Sequence, residues 1–485
     1  MSTVQRVARN TGLLLVSQIL SYVLAFFSVA YIARYLGASG YGIISFAFAF
    51  TTLFSILADL GLQPLIVREV ARDNSLAPKY LANVNVMKII LGTLTFGLIA
   101  LTTNLIGYPQ QTIYVVYLVG LSVVCGSLAS TFYSIFQAHE KMEYQSFSGV
   151  LSAAIMLVGV VLAVHYHISI IGFSSLYVLS SVISLIFALV IFRWRFYSSP
   201  SWTHRKIAMD WGFWKVTIKE ALPFGLSAIF VTIFYWISSV MLSAMKGDVD
   251  VGLYNAAFRM VLVLLFIPTA LNATIYPIMS KFHLTAQESL RMAYEKYFKY
   301  MLILAVPIGT GTTLLANRVI LLIFGSQFTA STIALQILIW AAAFIFVGSA
   351  FYQLLSATNN QLKAVIITVI EMILNVTLNL LLIPQYSYKG SAIATLATEG
   401  LALILGIWFC TRLGYPMPKR FFSTAIKIAA ATAVMAAFII FCHALTLPFL
   451  IAISIIIYFM LLLVMGGIDK GDRDLIREML GTKGN

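Results

Sequence analysis

The sequence predicts an all-α polytopic membrane protein with about fourteen transmembrane helices. Three observations predict it. Hydrophobic residues fill 61% of the 485 positions and charged residues 10%, against about 45–50% and about 25% in soluble domains. Apolar stretches of about 20 residues, the length that crosses a bilayer core as a helix, recur from one end to the other. Lys and Arg, the source of the net charge of +14, lie in short segments between these stretches. That is a pattern of membrane topology, not of nucleic-acid binding.

Helices in hydrocarbon satisfy their own backbone hydrogen bonds, so spans are expected at 11–33, 43–66, 82–103, 112–136, 146–165, 170–192, 220–244, 251–280, 298–318, 331–355, 363–384, 391–412, 424–444 and 449–468. The first is read as a retained helix: its apolar run is too long for a signal peptide, and Arg34-Tyr35-Leu36-Gly37 replaces a small-residue cleavage site. With a cytoplasmic amino terminus, alternate loops collect about 25 of the 31 Lys and Arg. These include Arg68, Arg72, Lys79, Arg193, Arg195, Arg205, Lys206, Lys281, Arg291, Lys419 and Arg420, whereas the other side receives Arg34, Lys246, Arg318 and Lys389. Both termini are therefore expected in the cytoplasm, with the chain in the cell membrane. The outer loops are short, so function is expected within the bilayer.

Two halves look like copies. Gly42–Ala71 follows a short outer turn, and 252–282 does the same about 210 residues later. Phe132-Tyr133 with Ala138 recurs as Phe351-Tyr352 with Ala357, and Gly172 recurs as Gly390. Six spans separate the copies, which implies parallel repeats about an axis along the membrane normal. The expected organisation is a six-helix lobe at 1–200, a linker at 201–219, a second six-helix lobe at 220–412, an extra helix pair at 413–468 and a cytoplasmic tail at 469–485. In the linker, Ile207, Trp211, Trp214 and Ile218 share a helix face, the pattern of an interfacial helix.

Charges inside spans are the sharpest functional clue, since each costs about 2.5–3.5 kcal/mol at the bilayer centre. Arg259, with Asn255 one turn before it and Asn272 beyond, reads as a cavity cation for a phosphate or carboxylate headgroup; the alternative is an Arg that snorkels or meets a backbone carbonyl. Asp59 reads either as a coupling site for a cation or proton or as half of a cross-helix pair. Glu371 lies on one polar stripe with Asn375 and Asn379, and Glu399 follows Thr395 and Thr398. These stripes line an ion path or pack helices. Lys88 is expected to snorkel to the interface. His165 and His167 lack a third ligand, so no metal site is expected. Cys125, Cys410 and Cys442 lie in apolar runs without metal or redox spacing. No P-loop, GxSxG, HExxH or dinucleotide fingerprint occurs. No cofactor is expected, and the chain reads as a transporter rather than an enzyme, with no nucleic-acid partner.

Four ordered segments, YIARYLGASGYG (31–42), ADLGLQPLIVREVA (58–71), GLYNAAFRM (252–260) and LLLIPQYSYKGSAIAT (380–395), resemble the Wzx-type polysaccharide flippases. These belong to the superfamily of the MATE multidrug exporters and lipid II flippases. The resemblance spans nearly the whole chain. It implies a two-lobed, MATE-like bundle that flips a lipid-linked oligosaccharide of polyprenyl-phosphate type between leaflets by alternating access, for surface polysaccharide biosynthesis. It also implies a cationic cavity, which fits Arg259 and Arg34, and an isoprenoid tail along the final helix pair. Membrane lipids and other glycan-assembly membrane proteins are the partners it implies. Residues 11–33 lack the acidic residue frequent in MATE first spans, and the first two spans lack the several arginines usual in lipid II flippases. A neutral or modestly charged oligosaccharide is thereby favoured. The competing readings are a cation-coupled MATE-like drug or metabolite exporter and a membrane enzyme of glycan assembly. The latter usually needs acidic residues on the outer face, and 34–41 has none.

Overall fold

The computed structural model describes residues 3–196, 209–417 and 421–468, with side chains from Val16 onward. Among the described residues the chain is α-helical apart from short turns and two single-turn 3₁₀ segments. The helices are α1 (Thr3–Asp59), α2 (Leu62–Arg72), α3 (Ala77–Ile106), α4 (Gln110–Ala138), α5 (Met142–His165), α6 (Ile170–Arg195), α7 (Trp211–Lys246), α8 (Asp248–Leu264), α9 (Phe266–Thr285), α10 (Gln287–Ile323), α11 (Ser331–Ala357), α12 (Gln361–Arg412), α13 (Phe421–Phe441) and α14 (Leu447–Val464).

By length and hydropathy, twelve helical stretches among the described residues suffice to cross a membrane, against about fourteen expected spans. The difference has a local cause. The expected spans 11–33 and 43–66 run on as α1, interrupted by one residue, Gly37 (φ 70°, ψ −176°). Spans 363–384 and 391–412 likewise form α12, interrupted at Ser387 (φ 52°, ψ −135°). The 57 residues of α1 are thus two helices that meet at a kink at Gly37, each long enough to cross about 30 Å of hydrocarbon. Prolines set two further breaks. Pro64 cannot bond back to the carbonyl of Leu60, nor Pro268 to that of Leu264, and the chain leaves the helix at Leu60–Gly61 and at Leu265. Each break falls in the second helix of its half.

Two compact units result. One holds the chain up to Ala256 together with Asn375–Ser391; the other holds Ala257–Leu374 with the residues from Ala392 on. In the first, α1 packs against α4, α5 and α7, and α4 against α3 and α6. Phe132, Phe136, Leu65, Ile66 and Trp214 fill its core. The expected repeat surfaces here as a reciprocal contact. A Cβ at Gly42 would collide with the carbonyl of Asp248, and a Cβ at Gly252 with the carbonyl of Ala38. Both pairs are related by the same shift of about 210 residues, so each copy presents its glycine to the turn of the other. Close backbone approach at small residues is how membrane helices gain packing where the hydrophobic effect is silent.

In the second unit α10 packs on α11 and α13, and α13 on α14. Tyr294, Phe298 and Phe351 form one core cluster, and Met435, Leu450 and Tyr458 another. The final pair is tied to α10 at two points: Tyr458 Oη donates to the Ile303 carbonyl at 2.8 Å, and the Arg318 guanidinium donates to the carbonyls of His443 and Leu445 at 2.9 and 2.7 Å. Of the expected interfacial linker, 201–208 lies outside the described residues, as does the tail at 469–485. From Trp211 the linker residues are the first turns of α7, capped by Asp210, whose carboxylate accepts from the Phe213 amide at 3.0 Å. Trp214 Nε1 donates to Asn83 Oδ1 at 2.8 Å and holds this end on α3.

Candidate functional site

In the first unit Asp59, expected as an ion site or as half of a cross-helix pair, meets Lys88. Their side chains form an ion pair of 2.6 Å, with Lys88 wholly buried. Its ammonium also donates to the Ser130 hydroxyl at 2.7 Å and the Ser127 carbonyl at 3.1 Å. Three donors, all an ammonium has, are thus used, and Asp59 is half of a cross-helix pair. The expectation that Lys88 snorkels is wrong. A four-carbon stem can reach the interface or a carboxylate, and here Asp59 on α1 lies within its reach.

Asn255, expected in a cavity, is 6% exposed. Its amide donates to Ser239 Oγ at 3.0 Å and to the Val251 carbonyl at 2.9 Å, so it fastens α8 to α7. Asn375 belongs to a second network in this unit. Ser238 Oγ and Asn379 Nδ2 donate to Asn375 Oδ1 at 3.4 and 3.0 Å, and Ser391 Oγ donates to Asn379 Oδ1 at 2.7 Å. These four buried, uncharged side chains join α7 to both parts of α12 around Ser387. Arg34 is exposed on α1.

The second unit holds three of the charges singled out in the sequence. Arg259 is half-buried on α8 and, among the described residues, makes no hydrogen bond or ion pair. Asn272 Oδ1 accepts from Tyr297 Oη at 2.5 Å, and Tyr297 in turn meets Ser349 Oγ at 3.2 Å. Glu371 and Glu399 are 6% and 7% exposed and near enough for their carboxyl groups to interact. Tyr352 Oη donates to Glu371 Oε2 at 3.0 Å.

The structure therefore gives Glu371 a hydrogen bond from Tyr352 and gives Asn375 to another network. Sequence reasoning missed Lys88, Ser238, Ser391, Tyr297 and Tyr352 as polar partners. For Tyr352 a signal existed in the Phe-Tyr recurrence. Its counterpart Tyr133 bonds Ser148 and Ser184 at 2.5 and 2.8 Å, so the position is a hydrogen-bonding one in both copies.

Relatives of this sequence can be set beside that geometry. Two that align over most of their length are a probable low-salt glycan biosynthesis flippase, Agl15, of Haloferax volcanii (21% identical over 407 residues, 82% of each chain) and the capsular polysaccharide biosynthesis protein CapF of Staphylococcus aureus (21% over 423 residues, 84% of this chain and 99% of that one). Among solved structures, the fold is similar to a lipid II flippase MurJ in an inward closed conformation, with a TM-score of 0.76 and 17% identity over 96% of this chain and all of that one. It is also similar to an inward-facing MATE family multidrug resistance transporter, with a TM-score of 0.66 and 16% identity over 82% of this chain and 94% of the other. A family profile, described as polysaccharide biosynthesis protein, matches residues 7–283. With more than half of its length matched, the chain belongs to the polysaccharide biosynthesis protein family.

Proposed function

We propose that this protein flips a lipid-linked oligosaccharide of polyprenyl-phosphate type from the cytoplasmic to the outer leaflet by alternating access, in surface polysaccharide biosynthesis. The observation that carries the reading is Arg259, a half-buried guanidinium on an apolar helix that no protein group neutralises among the described residues. A cation left in that setting is costly unless an anion arrives, and guanidinium is suited to phosphate by its planar donor fork. Family membership and the flippase names of relatives support the same substrate class. Asn272 belongs to the proposed substrate path in the second unit, and Arg34 in the first is proposed as a further cation for the substrate. The chain acts as a transporter and not an enzyme. Its fourteen crossings count α1 and α12 twice each, both termini are cytoplasmic, and two six-helix lobes precede a final pair. The Glu371–Glu399 pair takes up the coupling proton or cation, and Asp59 with Lys88 secures the first lobe. Other glycan-assembly membrane proteins receive the flipped lipid.

Deleting the gene and extracting lipids tests this. The expected result is an intact lipid-linked oligosaccharide accumulating on the cytoplasmic side while the surface glycan disappears. Arg259→Ala is expected to reproduce the deletion with normal insertion and abundance, and Arg259→Lys to retain part of the function. Sensitivity to cationic drugs with no accumulating lipid would instead establish a cation-coupled exporter, the reading that the MATE-like fold and the buried carboxyl pair otherwise support.

A further inference from the structure

Where α11 ends and α12 begins, the second unit contains an open cavity of about 460 Å³, within the range of small-ligand pockets, roughly 300–1,000 Å³. It is lined by Asn272, Ala273 and Tyr276 from α9, Gln353 and Ser356 from the last turns of α11, and Gln361 from the start of α12. The lining has an unusual chemistry for an apolar helix bundle: three amides, a hydroxyl and a phenol, with no charge of either sign. Tyr297 fixes Asn272 by its oxygen, which leaves both amide hydrogens available. The polar groups of Tyr276, Gln353, Ser356 and Gln361 have no protein partner among the described residues. Five uncharged side chains thus converge with donors and acceptors to spare.

That inventory discriminates between ligands. A phosphate is held most strongly by charge-assisted bonds from cations, and the cavity has none. An apolar drug or an isoprenoid tail would strand the amides without hydrogen bonds. A sugar ring offers hydroxyls that each donate and accept, matched by amides and a serine. It also offers an apolar C–H face, matched by the ring of Tyr276, which is 40% exposed. We infer that the α9–α11–α12 cavity is a saccharide subsite that holds an uncharged sugar of the lipid-linked substrate. The inference rests on the flippase reading and refines it, because it separates recognition of the sugar from capture of the phosphate at Arg259. In the proposed topology the cavity lies toward the cytoplasmic side, where the substrate is loaded.

The test uses the full-length purified protein in lipid nanodiscs and two kinds of probe: bare polyprenyl pyrophosphate, and the same lipid bearing one glucose, galactose, N-acetylglucosamine or rhamnose. The wild type is expected to bind at least one glycosylated lipid about tenfold more tightly than the bare lipid, the worth of one or two good hydrogen bonds. Tyr276→Leu and Gln353→Ala are each expected to erase that preference while leaving affinity for the bare lipid unchanged. Tyr276→Phe, which keeps the stacking face at an exposed position, is expected to retain most of it. If the wild type shows no preference for any glycosylated lipid, or if the variants preserve the preference intact, the saccharide subsite is overturned and the flippase reading stands. If the wild type binds neither kind of lipid, the flippase reading itself is overturned and the subsite falls with it.

Discussion

In the first compact unit a wholly buried Lys88 pairs with Asp59, whose side chain is 28% exposed, whereas in the second Glu371 and Glu399 are both buried among apolar helices. The first pair is of opposite sign and fully bonded, since Lys88 spends its donors on Asp59, Ser127 and Ser130. The second is of like sign, with Tyr352 the hydroxyl donor to Glu371. The repeat-related tyrosines mark the same contrast: Tyr133 meets two serines, Tyr352 a carboxyl group. A satisfied pair has no vacancy for a third party and fastens helices together. A pair of acids is incomplete without a proton or cation, and its state is open to control from outside. The proposed function gives the first pair a structural role and the second a coupling role.

Breaking one partner of the satisfied pair should give the largest effect. Lys88→Met leaves Asp59 without its cation and is expected to cost about 3–5 kcal/mol, read as a large loss of thermal stability and of folded yield in detergent. Adding Asp59→Leu should restore much of the loss, because a buried pair replaced as a whole is often neutral. A Lys88→Met protein as stable as wild type would erase the contrast between the units. In the acidic pair the reverse is expected. Glu371→Gln or Glu399→Gln should alter stability by less than about 1 kcal/mol and yet flatten the pH dependence of transport, measured with a fluorescent lipid-linked sugar in vesicles. Unchanged pH dependence in both variants would remove the pair from coupling. Smaller again is Tyr352→Phe, which deletes one hydrogen bond worth about 1 kcal/mol. It is expected to shift the pH profile of transport without moving its maximum rate, an effect that the matching Tyr133→Phe should not have.

Much of the fold was legible because hydropathy is additive along some twenty residues, and no single contact decides a span. What was not legible depended on single residues or on partners far apart in sequence. Gly37 and Ser387 were read as parts of loops of several residues, whereas each is a kink of one non-helical residue at which one helix gives way to the next. The glycine repeat at 42 and 252 was visible as recurrence, but its meaning, that each copy's glycine admits the other's carbonyl, exists only after packing. The site was legible in residue type and not in pairing. Arg259, Glu371 and Glu399 stood out by the cost of charge in hydrocarbon. Asn255 stood out equally and proves to bond Ser239 across helices. Spacing along one helix cannot tell a polar group aimed at a neighbour from one aimed at a cavity.

Asp210 gives the smallest expected effect and a control for both pairs, since it is charged, bonded and outside the membrane spans. Its carboxylate accepts from Lys79 Nζ at 2.8 Å and from the Phe213 amide at the start of α7. The hydrogen bond from Lys79 first, and that from Phe213 second, hold it below the ordinary carboxylate range. A depressed folded-state pKa contributes stability that is present above the unfolded value of about 3.9 and is lost as the pH falls through the folded value. Asp210→Asn should therefore leave neutral-pH transport unaltered and remove a small part of the loss of stability seen below about pH 4. The group is open to solvent, so salt should weaken the effect further, whereas the pair of Asp59 with the wholly buried Lys88 should respond less. A salt response at Lys88 as large as that at Asp210 would mean that water reaches the interior of the first unit, and the contrast with the second would have to be redrawn.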